Sequence, residues 1–136
     1  MTNLSVIENK ISSARKNLEI LEKYKNYSQA EIINNIERRG AVERYLYLAV
    51  QSTIDLADAT ISFKNLRKPT TQSESFHILE ENGVIDLELA QKMVKMTGFR
   101  NVVAHDYEKI NYDILYDVLC NRLTDVEKFL ENIEKL

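Results

Sequence analysis

Apolar residues recur at alternating steps of three and four along most of the chain, the pattern of helices that each bury one side. Leu4, Ile7, Ile11, Ala14, Leu18 and Leu21 form the first stripe, with polar residues filling most of the gaps. Tyr24 to Tyr27 is a polar break, and Ser28 is placed to cap the next helix. That second helix is predicted over 29–63, with Ile32, Ile36, Val42, Leu46, Ala49, Val50, Ile54, Ala57 and Ile61 on its apolar side. Gly40 interrupts it at a cost of about 1 kcal/mol relative to alanine, so a bend or a close approach by a neighbouring helix is expected there.

The stretch 64–72, rich in Lys, Arg and Thr and holding Pro69, reads as a loop. Thr71 and Glu74 match a capping box, and Phe76, Ile78 and Leu79 give a short helix that stops near Asn82 and Gly83. Asp86 caps the following helix, whose buried side carries Leu89, Ala90, Met93 and Val94, and Thr97-Gly98 is expected to end it through a left-handed residue. The last helix repeats Tyr112, Leu115, Leu119, Leu123, Val126, Leu130 and Ile133 through the C-terminus. No segment alternates as a half-buried strand would. The expected fold is all-α, an antiparallel up-and-down bundle of four to five helices forming one domain over 1–136, with an irregular segment from Arg100 to Tyr107 between the last two helices.

Composition agrees with long helices, since only three Gly and one Pro occur in 136 residues. Cys120 is the only cysteine, which excludes an intramolecular disulfide and reads as an inert core thiol. The N-terminus lacks a signal-peptide pattern, and no run approaches the roughly 20 apolar residues needed to cross a bilayer. A cytoplasmic protein without membrane contact is expected. A net charge of −3 supplies no broad positive field, so any RNA contact is confined to a local site, and no DNA partner is expected.

Glycine-rich phosphate loops, paired-cysteine zinc patterns and Gly-x-Ser-x-Gly elbows are all missing from the sequence. His77, Glu80 and Glu81 stand at helical spacings but read as a solvated face, and no metal or cofactor is expected. Tyr24, Lys25, Tyr27, Arg38 and Arg39 read as surface and packing residues.

The candidate chemistry lies in Arg100-Asn101-Val102-Val103-Ala104-His105-Asp106-Tyr107. Arg100 and His105 are five positions apart, a rotation of about 140° beyond one turn on a regular helix, so the two do not share a face. Joint action then needs a departure from helix between them or two copies meeting at an interface.

Arg100, the polar Asn101 after it and His105 resemble the Arg-x4-6-His signature of HEPN domains. With Tyr107 the pattern becomes Arg-x4-His-x-Tyr, similar to the HepT-like ribonuclease toxins encoded beside minimal nucleotidyltransferase antitoxins. Ala41-Val42-Glu43-Arg44-Tyr45-Leu46 and Ile54-Asp55-Leu56-Ala57 are similar to the second helix of that branch, so the likeness spans most of the chain. The resemblance implies metal-independent RNA cleavage at a cleft between two subunits. Under it Arg100 holds phosphate through a permanently charged guanidinium, and His105 moves protons near neutral pH. A homodimer would supply a base and an acid on opposite sides of the phosphorus. Asn101 is a supporting residue that orients either phosphate or imidazole. Asp106 has two readings, fixing the histidine tautomer or repelling RNA. Tyr107 is implied as the site where the antitoxin adds AMP groups. The alternative is a non-catalytic helical subunit that binds a nucleotide or presents a substrate to the nucleotidyltransferase.

Overall fold

The computed structural model describes residues 3–105 and 107–136, with Tyr107 described through its backbone alone. Among the described residues seven α-helices run in order: α1 Leu4–Tyr24, α2 Gln29–Ile33, α3 Ile36–Phe63, α4 Gln72–Glu81, α5 Leu87–His105, α6 Tyr112–Asp117 and α7 Leu123–Glu134. A 3₁₀ turn, Tyr107–Lys109, precedes α6, and a π-helical turn, Val118–Arg122, joins α6 to α7. The all-helical expectation holds, and no strand occurs among the described residues. No helix is long and apolar enough to cross a membrane among them.

The 28-residue α3 is the axis of the bundle, about 42 Å long at the usual rise, and α1, α2, α4, α5 and α7 all pack on it. Its buried side sets Val42, Leu46, Ala49, Val50, Ile54, Leu56, Ala57 and Ile61 against Ile7, Ile11, Ala14, Leu18 and Leu21 of α1 and the inner faces of the later helices. Phe76 of α4 and Phe129 of α7 meet edge to face at 5.5 Å and close the far side of the core. Hydroxyls inside this core are satisfied locally: Thr53 donates to the Val50 carbonyl at 2.7 Å, Thr60 to Leu56 at 2.8 Å and Thr97 to Met93 at 3.0 Å.

Three boundaries differ from the sequence expectation. The predicted helix over 29–63 is two helices, broken at Asn34-Asn35, where Asn35 turns extended (φ −115°) and its side chain accepts from the Arg38 amide. Ser28 and Glu31 form a reciprocal capping box on the short first piece. Gly40 lies inside α3 without a close neighbour, since a Cβ there would meet nothing within 4 Å. The last helix, in turn, is widened at Val118–Arg122. Leu115, Leu119 and Leu123 step by four twice in succession, ahead of the 3.6 period, and the wider turn absorbs the extra residue.

The third difference bears on function. Thr97-Gly98 does not end α5, which continues to His105, so the Arg100–His105 segment is helical rather than an irregular junction. Burial at Leu89, Met93, Met96, Thr97 and Arg100 keeps the three-four rhythm across Gly98, which faces solvent, and Gly83 is the one glycine with positive φ, at 73°. Packing on α3 rewards continuation of the helix, and that outweighs the weak local preference of one glycine.

The loop before α4 is fixed by Arg67, which reaches Glu74 at 3.0 Å and Glu81 at 2.9 Å. Thr71 accepts from the Glu74 amide as a cap, but the returning bond of the expected capping box goes to Thr70 instead. The Thr70 amide holds the Glu74 carboxyl below the ordinary 4.5, and the Arg67 guanidinium does the same for Glu81, so Glu81 of the His77–Glu80–Glu81 group is already engaged.

A helical Gly98 without a crowded Cβ means that Gly98→Ala should raise stability by about 0.5–1 kcal/mol in urea unfolding, whereas a loss would place the residue at positive φ. Glu74 and Glu81 bind protons less readily folded than unfolded, so their contribution is complete above pH 4.5 and drains away as pH falls through their lower folded values. Replacing both by Gln should therefore lower the neutral plateau of the thermal midpoint slightly and leave its low-pH end nearly unchanged, so that the acid limb is flatter; an unaltered acid limb would remove these residues from the account.

Candidate functional site

The site forms where α5 crosses the N-terminal half of α3. Tyr47, Gln51 and Asp55 follow one another at steps of four on α3 and so line one stripe of that helix. Arg100 packs from α5 onto this stripe and is 8% exposed. Its Nε donates to Gln51 Oε1 at 2.9 Å, Nη2 donates to the same oxygen, and Nη1 donates to Asn101 Oδ1. The guanidinium carbon lies 5.2 Å from the centre of the Tyr47 ring. The Gln51 amide nitrogen in turn donates to Asp55 Oδ1 at 3.0 Å.

Burying a cation is costly unless its donors are satisfied, and here three of five N–H groups are bound by uncharged oxygens. Arg100 makes no ion pair among the described residues. Two N–H groups remain for an anionic ligand.

His105, the last residue of α5, is exposed and sits in a groove of about 400 Å³ bounded by Gly40, Glu43, Arg44 and Tyr47 of α3 and by Val103 and Ala104 of α5. Gly40, which the sequence marked as a bend or a close helix approach, presents no side chain to this groove and so leaves it open. Glu43 is 4% exposed; its Oε1 accepts from the Tyr112 hydroxyl at 3.2 Å and lies 3.9 Å from Arg39 Nε. A larger groove of about 570 Å³ along α1 contains none of the motif residues.

Three more arginines gather near this end of α3, each over an aromatic ring. Arg38 stands 3.9 Å from the centre of Tyr27, Arg39 5.9 Å from Tyr112 and Arg44 5.9 Å from Tyr47. Three guanidinium groups are thus held over aromatic faces at this end of α3, on a chain of net charge −3.

Arg100 and Asn101 are brought together directly. Arg100 and His105 are not: they occupy different sides of one unbroken helix, and Tyr47 alone reaches both the guanidinium and the groove. Asp106 and the Tyr107 side chain lie outside the described residues. Cys120 is partly rather than fully buried, packed against the core from the π turn. The sequence reading passed over Tyr47 and Gln51 and gave Arg44 only as part of the segment that carries the resemblance. Their signal was a polar residue, Gln51, set at helical spacing from Tyr47 and Asp55 in a helix with an otherwise strongly apolar inner side.

A family model described as Ribonuclease HepT-like matches residues 14–133. The chain is similar to the mRNA nuclease HepT of Shewanella oneidensis, 28% identical over 130 residues that cover 95% of this chain and 96% of that one. It is also similar to the tRNA nuclease HepT of Aphanizomenon flos-aquae, 30% identical over 113 residues, covering 82% and 77% respectively. Among solved structures, the tri-AMPylated Shewanella oneidensis HEPN toxin in complex with MNT antitoxin superposes with a TM-score of 0.89 at 28% identity, over 96% of this chain and 98% of that chain.

Proposed function

The chain belongs to the HepT-like ribonuclease family, and from that premise we propose that it is a metal-independent endoribonuclease toxin, one cytoplasmic domain over 1–136 that works as a homodimer and is neutralised by a nucleotidyltransferase antitoxin. The observation that carries this reading is the division of labour on α5: a buried, anchored guanidinium at Arg100 and an exposed imidazole at His105, on a helix that runs unbroken between them.

Continuity of α5 removes one of the two ways in which these residues could act together. Five helical steps separate them by about 140° around the axis, which supports a cleft that a second copy completes. In that cleft His105 of one protomer takes the proton of a ribose 2′-hydroxyl. The 2′-oxygen attacks phosphorus, the P–O5′ bond breaks, and the partner's His105, protonated, returns a proton to the leaving 5′-oxygen. The products are a 2′,3′-cyclic phosphate and a 5′-hydroxyl. Arg100 holds the non-bridging oxygens and stabilises the charge that builds on them, with Asn101 fixing one edge of the guanidinium. This scheme assigns no step to Asp106.

Tyr107 starts the 3₁₀ turn directly after the motif. Its phenol oxygen attacking the α-phosphate of ATP, with pyrophosphate leaving, would attach an adenylate two residues after His105. The added negative charge there competes for Arg100 and blocks RNA. The similar Shewanella oneidensis toxin is described as tri-AMPylated in its complex with MNT antitoxin, which supports this role.

Purified protein incubated with a mixed cellular RNA pool in excess EDTA should release cyclic phosphate ends, and His105→Ala should lower the rate by about 10²-fold or more while keeping the helical circular dichroism. Cleavage by His105→Ala at the wild-type rate would overturn the assignment. Failure of the unmodified wild type to cut, together with harmless expression, would favour the non-catalytic subunit that presents nucleotide or substrate to the antitoxin. Tyr107→Phe should still cut RNA yet gain no mass on incubation with the cognate nucleotidyltransferase and ATP; a mass gain equal to that of wild type would move the acceptor elsewhere.

A further inference from the structure

We infer that Gln51 and Asp55 are positioning residues that hold the Arg100 guanidinium in place without neutralising it, so that its full charge is kept for an RNA phosphate. The inference rests on the phosphate-holding role proposed for Arg100.

Donor and acceptor chemistry fixes the direction of the relay. The Asp55 carboxylate can only accept, so the Gln51 amide must turn its NH2 toward Asp55, and its carbonyl oxygen is thereby aimed at Arg100. That oxygen then accepts from Nε and Nη2, the side-on edge of the guanidinium. Asn101 takes one N–H of Nη1, and the Tyr47 ring supports the cation through its π-face. The guanidinium is locked in orientation by two amide oxygens and a ring, none of which carries charge.

The carboxylate of the network is kept one side chain away from the cation. A carboxylate at position 51 would bond the same edge bidentately and more strongly, and the RNA phosphate would then have to compete with it. Spacing the charge out through a neutral amide keeps the geometry and leaves the positive potential directed outward. Such pre-set donors stabilise developing charge without reorganising during the reaction.

The decisive variant exchanges the two groups, Gln51→Glu together with Asp55→Asn. Net charge is unchanged and the relay bonds can still form, with the amide at 55 donating to the carboxylate at 51. Only the distance between carboxylate and guanidinium alters. Binding is measured with a fully 2′-O-methylated mixed-sequence oligoribonucleotide, which cannot be cut, and cleavage is measured separately on the cellular RNA pool. The expected result is an unchanged thermal midpoint with oligonucleotide affinity and kcat/KM lower by about 10- to 100-fold, and a shallower dependence of binding on salt. Asp55→Asn alone, whose amide can donate as well as accept and so no longer fixes the direction of the Gln51 amide, should weaken binding less than the exchanged pair does.

Wild-type binding by the exchanged pair would overturn the inference, as would an equal loss in Asp55→Asn alone. If the pair fails to fold, Gln51→Met, similar in volume but without an acceptor, takes its place: weakened oligonucleotide binding at an unchanged midpoint supports the relay, and unaltered binding ends it. If wild type cuts no RNA, the cleavage reading falls while the binding arm still decides this one.

Discussion

An α-helix turns by a fixed angle at every residue, and that rule governs everything the motif can do. Five steps carry His105 to a different side of α5 from Arg100, whatever chemistry they share. The geometry would be different if Gly98 had ended the helix, because a left-handed residue there would re-aim the following segment. It does not, since Met96, Thr97 and Arg100 are buried on either side of it and each turn of packed helix stabilises the next. The site is therefore split by construction. Arg100 is buried against α3 and His105 is exposed, and this division supports reading the site as half of a two-copy cleft.

What holds the inner half is the core beneath it. Tyr47, Gln51 and Asp55 can form a stripe of polar and aromatic groups only because the opposite sides of α3 are committed to apolar packing at Val42, Leu46, Ala49, Val50, Ile54 and Ala57. Packing of that density leaves α3 little freedom to rotate, and hydrogen bonds made from it inherit its rigidity. The hydrophobic effect and the placement of the guanidinium are thus linked: a shift of α3 by a fraction of an ångström would be felt in the Gln51–Arg100 pair.

The sequence made most of this readable, and where it misled the cause is physical. Stripes at three and four located every long helix, and Ser28, Thr71 and Asp86 marked starts correctly, because capping depends on one side chain and two or three adjacent amides. The misplaced end at Thr97-Gly98 came from weighing glycine as a breaker. Gly40 and Gly98 cost their helices a little and are overruled by packing, whereas Asn34-Asn35 breaks the chain through a side-chain cap that glycine cannot make. Arg100, Asn101 and His105 were legible as a motif. Gln51 was not, because its importance lies in a partner 49 positions away, and spacing along one helix carries no information about what another helix brings to it.

A chain with more acidic than basic residues must bind a polyanion, in the reading proposed here, through cations that remain unneutralised. Paired carboxylates would fix arginines firmly but cancel the charge that recruits phosphate. Arg38, Arg44 and Arg100 are instead laid against Tyr27 and Tyr47, and Arg100 has amide oxygens besides. An aromatic face offers attraction without a formal negative charge, just as the Gln51 carbonyl does. Arg39 shows the contrast, standing 3.9 Å from the buried Glu43 as well as over Tyr112. Tyr27, which reads in the sequence as an ordinary packing residue, and Tyr47, which the sequence reading passed over, thus have a second use: their faces hold guanidinium groups without adding a formal negative charge.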